Sequence, residues 1–112
     1  MTVTASVLIP AKTAENSQTT QYTSTGLTTI IDKFTATNYT ANPATLSVNI
    51  VTVSGSASDD NLVVDTKTLQ AGETYTFPEV VGQILRPGDF ISTIAGTASA
   101  VNIRASGRQI TS

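Results

Sequence analysis

Carboxylates are the only side chains here that could do acid–base chemistry near neutral pH, because the 112-residue chain contains neither histidine nor cysteine. A Ser-His-Asp constellation is therefore excluded, and no thiolate can attack a substrate or hold a metal. Glu73, Glu79 and Asp89 could supply the carboxylate pair that hydrolyses glycosides. Against this, Glu73 and Asp89 each follow a glycine in two matched stretches, LQAGETYTF (69–77) and LRPGDFIST (85–93). A short acidic side chain in that position commonly bonds to the backbone beside it. Pro87 has the fixed φ that suits the second position of a β-turn, while Gly72 and Gly88 can take the positive φ that a type II turn requires at its third. The repeated pattern predicts two corners, and no catalytic residue is expected.

Other polar groups divide between a binding role and a structural one. Asp59, Asp60 and Asp65 could gather around Ca2+, but aspartates in a run such as SGSASDD (54–60) also keep a turn solvated. No metal or cofactor is expected. Arg104 and Arg108 stand four apart in an extended segment, so both should project to one side. They could grip a carboxylate-rich partner or solvate a sheet face. Tyr22, Tyr39 and Tyr75 could line a sugar-binding face, although scattered tyrosines in a β protein more often sit at core edges. Tyr75 and Phe77 are expected on an inner face, and Phe34 and Phe90 in the core. Asn38-Tyr39-Thr40 fits the glycosylation acceptor pattern, which is common by chance.

These residues must be positioned by strands. Thr2 to Ile9 alternates, with Val3, Ala5, Val7 and Ile9 on one side, and Pro10 should close the run because it cannot donate to a ladder. Residues 10–26 are polar and read as a loop or arm, with room for one polar strand around Thr19 to Ser24 and Tyr22 as the only large anchor. Leu27 to Tyr39 reads as a strand bent near Asp32, ending before the turn signal Asn42-Pro43. Ala44 to Val53 puts Leu46, Val48, Ile50 and Thr52 on one face and Ser47, Asn49, Val51 and Val53 on the other. Leu62 to Thr68, Glu73 to Phe77 and Phe90 to Ala95 give three more strands. Pro78 to Leu85 is a helical turn or an irregular crossing. Ala98 to Ile110 closes the chain, with a bulge suggested by Gly107. Seven or eight short strands between turn signals predict an all-β, single-domain two-sheet sandwich over residues 1–112, a jelly roll in preference to an immunoglobulin-like fold.

Composition agrees and narrows the functional classes. Only 12% of the residues are charged, against roughly 25% in an average soluble domain, and threonine, serine and asparagine fill the difference. The net charge of −2 offers too little positive charge for general nucleic-acid binding. No apolar run approaches the length of a bilayer span, and the N-terminus MTVTASVLIPAK lacks the charged and continuous apolar regions of an export signal. Neither a nucleic-acid nor a membrane partner is expected.

Residues 69–111 carry GETY, then PE, VGQ, L-x-PGD-x-IST and a closing IRASGRxIT. This segment resembles small virion structural proteins of tailed bacteriophages, a group that includes capsid decoration or cement proteins. The resemblance implies a noncatalytic protein on the outer capsid surface, made in the host cytoplasm, with the major capsid protein as partner and copies of itself in a homo-oligomer. Weak contacts repeated on a lattice would add through avidity. Leu8, Ile9 and Tyr22 are candidate partner-binding anchors beside the arm, with Arg104 and Arg108 on a sheet face. A tail or head-fibre subunit and a sugar-binding module are the alternatives.

Overall fold

The computed structural model describes residues 1–111. Its strands are β1 (Thr2–Thr13), β2 (Thr19–Thr23), β3 (Thr28–Asn38), β4 (Ala44–Val51), β5 (Leu62–Leu69), β6 (Thr74–Tyr75), β7 (Ile84–Leu85), β8 (Phe90–Ala95) and β9 (Val101–Thr111), with a 3-10 turn at Asp59–Asn61. All pairings are antiparallel. One sheet has the order β1-β9-β3-β6, with β7 also on β3, and the other has the order β2-β8-β4-β5.

The pairing is nested. β6 meets β3 at Ala36 and Thr37, and β7 meets it at Thr29 and Ile30, so the two short pieces act as one interrupted strand. The first strand then pairs with the last, the second with the second from last, and so inward to β4 and β5. A long hairpin folded over on itself in this way is a jelly roll. The immunoglobulin-like order, rich in pairs of consecutive strands, is not the one adopted.

Alternation supplies the core. Leu46 and Val48 of β4, Ile31 and Phe34 of β3, Ile91 of β8 and Ile103 of β9 are fully or almost fully buried between the sheets. Phe77 lies edge-on to Phe34 at 5.3 Å and to Tyr75 at 4.8 Å between ring centroids, geometry that suits the ring quadrupoles. Tyr75 packs against this core and Phe77 is inside it, as expected. Phe90 is only half-buried and lies outside the central cluster.

Several sequence readings change. Pro10 does not end β1, which continues to Thr13; on an edge strand, proline's missing N–H can face away from the ladder. Residues 10–26 are not an arm, since they complete β1 and form β2, which pairs with β8 from Thr19 to Thr23. The expected Thr19–Ser24 strand is therefore present. Finally, the register of β1 on β9 shifts between Val7 and Ile9. The extra residue reverses the phase, so Val3 and Val7 are exposed while Leu8 and Ile9 are buried.

β9 itself runs unbroken, and its two neighbours bulge instead. β3 shifts register between Ile31 and Lys33, leaving Asp32 as the extra residue at the expected bend. Gly107 is required by close approach, because a Cβ there would collide with the Ile30 carbonyl oxygen and press on Leu8.

Candidate interaction surface

The two acidic corners are built alike. The Glu73 N–H donates to the Gln70 carbonyl at 3.0 Å and the Asp89 N–H to the Arg86 carbonyl at 2.9 Å. Each carboxylate then reaches back to the first N–H of its turn, Glu73 Oε1 to Gln70 at 2.7 Å and Asp89 Oδ2 to Arg86 at 3.0 Å. Asp89 Oδ1 also accepts the Val53 N–H at 3.0 Å. Gly72 and Gly88 have φ of 72° and 93°. Both acids are thus engaged in turn geometry.

Each corner is also docked on a buried polar residue by the same pair of bonds. Gly72 N–H donates to the Asn38 carbonyl while Asn38 N–H donates to the Glu73 carbonyl; Gly88 and Asp89 repeat this with Ser24. Asn38 and Ser24 are fully buried. The Asn38 amide donates to the carbonyls of Asn42 and Leu69 at 2.7 and 3.0 Å, and its oxygen accepts from Thr40 N–H and Oγ1. The residue that fits a glycosylation pattern is therefore an internal staple.

A second polar knot holds the 54–61 connection. Asn49 Nδ2 donates to the Ser58 carbonyl and to Asn61 Oδ1, while Gln18 bridges Asn49 and Ser92. Of these, Gln18, Asn49 and Ser58 line a shallow groove of about 280 Å3 together with Ser47, Asp59 and Asp65. Asp59 and Asp60 open the 3-10 turn capped by Ser58, and Asp65 accepts from Thr66 Oγ1. Among the described residues no three acidic side chains converge closely enough to hold a metal ion.

The outer face of the β1-β9-β3 sheet is different in character. Register places Val3 beside Ile110 and Thr28, and Ala5 beside Arg108, Ile30 and Ile84. Val3, Val7 and Ile84 are each more than half exposed, and Ile30 and Ile110 are half-buried. Further along, the same face carries Lys33, Thr35 and Arg104. Between the two parts, Arg108 forms a fork on Asp32, with three N–H···O contacts of 2.9 to 3.2 Å. This bonding raises the Arg108 pKa above its ordinary value.

The sequence-selected anchors fare unequally. Leu8 and Ile9 cannot act as exposed anchors, since 5% and 1% of their surfaces remain accessible. Tyr22 points inward, its hydroxyl bonded to Thr29 Oγ1 at 2.7 Å and to Gln109 Nε2 at 2.8 Å. Arg104 and Arg108 do share one exposed face, but Arg108 is already occupied by Asp32. Tyr39 is half exposed, and Tyr75 bonds to Glu79. Burial, then this bond, raises the Tyr75 pKa. The apolar outer face was not recognised from sequence because the bulge at Leu8 inverts the apparent inside and outside of β1.

Compared with family models, curated proteins and solved structures, the chain matches none. No helix among the described residues is long and apolar enough to cross a membrane.

Proposed function

We propose that the chain is a noncatalytic capsid decoration protein of a tailed bacteriophage, which docks on the outside of the head shell and cements neighbouring subunits of the major capsid protein. The observation that carries this reading is the outer face of the β1-β9-β3 sheet. There, Val3, Val7 and Ile84 stand exposed beside Lys33 and Arg104. Apolar surface rimmed by polar groups is the pattern of an interaction face, and Arg104 would pair with shell carboxylates. The resemblance of residues 69–111 to phage virion proteins supports the same reading. It rests on segments that build corners and strands, so it bears on the scaffold more than on the face.

Docking is tested by mixing the protein with heads that lack it, sedimenting them and imaging the pellet. Saturable binding at regular shell positions is expected, with Arg104→Glu binding at least tenfold more weakly. Absence of binding to heads would overturn the reading. Decoration of tails or fibres instead would favour the alternative structural subunit. The polar groove at Gln18, Asn49 and Asp65 offers amides and carboxylates to sugar hydroxyls, but no aromatic ring lines it, and a blank glycan array is expected.

A further inference from the structure

We propose that the first half of β1 is a self-pairing edge, and that two copies of the chain join antiparallel across it, with the two-fold axis at Ala5. The sheets have edges at β1, β2, β5 and β6 with β7. An open edge offers unpaired N–H and C=O groups to another strand, and proteins usually guard it with short strands, bulges, proline or charge.

Three of the four edges are guarded. β6 and β7 have two residues each. β2 has five, interrupted by a register shift between Thr20 and Tyr22. β5 is broken by register irregularities against β4, places Thr66 at a φ of 52°, and carries Asp65 and Lys67. The second half of β1 is guarded as well, by two register shifts, Pro10 and Lys12. Thr2 to Val7 is different. It pairs with Thr111 to Ser106 in unbroken register, contains no charge, proline or glycine, and is exposed at every position except the half-buried Ser6.

Its sequence is complementary to itself. Antiparallel strands keep their faces aligned only when residues of the same parity stand opposite each other. With Ala5 opposite Ala5 of the second copy, Val3 faces Val7 and Thr4 faces Ser6. Apolar residues then meet only apolar ones on the outer face, and hydroxyls meet hydroxyls on the inner face, both favourable cross-strand pairs. The contact is isologous and closes at two copies, as a two-fold dimer requires. It merges two outer faces into one continuous surface. The inference does not rest on the shell reading, because it concerns free protein.

Two measurements test it. Sedimentation velocity of the whole chain from about 10 µM to about 1 mM, the upper range for a weak edge contact, should show a monomer–dimer equilibrium. Ala5→Lys, at an exposed position that would set two charges across the axis, should weaken dimerisation at least tenfold while leaving the circular dichroism unchanged. The chain has no cysteine of its own, so Ala5→Cys gives a single probe; paired Cα atoms at the axis lie about 4.5–5.5 Å apart, within disulfide reach. Under mild oxidation it should cross-link at least tenfold faster than Val53→Cys, at an exposed loop position. A monomer throughout the concentration range, an assembly unaffected by Ala5→Lys, or equal cross-linking of the two cysteine variants would each overturn the proposal.

Discussion

Gly72 and Gly88 occupy equivalent positions in twin corners, yet their surroundings differ. A Cβ on Gly72 would meet nothing within 4 Å, whereas one on Gly88 would run into Val53. Gly72→Ala should therefore cost only left-handed backbone strain, about 1–2 kcal/mol. Gly88→Ala should add overpacking and cost about 2–4 kcal/mol. Urea titrations check this, and Val53→Ala should recover part of the loss in the Gly88 variant but none in the Gly72 variant. Equal costs for the two glycines would refute the account of the second corner. The corners were legible because Pro-Gly-Asp and Ala-Gly-Glu encode local geometry. The docking residues Ser24 and Asn38 were not, because their partners lie tens of residues away and no spacing rule connects them.

Elements show where periodicity succeeds and where it fails. β4 keeps its alternation against β8, with which it stays in register, so Leu46 and Val48 are buried and Ile50 packs on the core, although Asn49 and Val51 on the other face are buried as well. β1 keeps the period of two only from Thr2 to Val7; the extra residue at Leu8 swaps its faces, a second shift follows between Ile9 and Lys12, and a bulge is defined by the partner strand. The connection from β1 to β2 depends on Glu15, which accepts from Gln21 Nε2 and Lys12 Nζ, both at 2.9 Å. The Gln21 bond, then Lys12, lowers its pKa. A carboxyl depressed in the folded state stabilises above its unfolded pKa, and that contribution is lost as the pH falls through the folded one. Glu15→Gln should thus lower Tm by about 1–4 °C at neutral pH, given the exposure of the pair. The difference should vanish as the solution is acidified below the depressed pKa. A gap that persists in acid would show that the carboxylate charge is not its source.

The whole molecule was legible as a class, because turn signals and short β-branched runs add up to a two-sheet sandwich. The preferred jelly roll was right, yet strand order is not written in periodicity; it follows from which strands meet, and β1 meets β9. That pairing joins Thr2 to Thr111, whereas β4 and β5 are joined by a loop of ten residues, 52–61. Loop-closure entropy rises with the length of chain enclosed, so contacts distant in sequence are slow to form. A nested chain should therefore assemble like a zip, starting at the β4–β5 hinge and reaching β1 last. Pulse-labelled hydrogen exchange during refolding should protect Val48 and Val64 before Thr4 and Ser6, whose N–H groups face β9, and simultaneous protection would contradict the order. Until the final step, β9 has an uncovered side of its own, so the refolding chain passes through a brief interval in which it is most prone to aggregate.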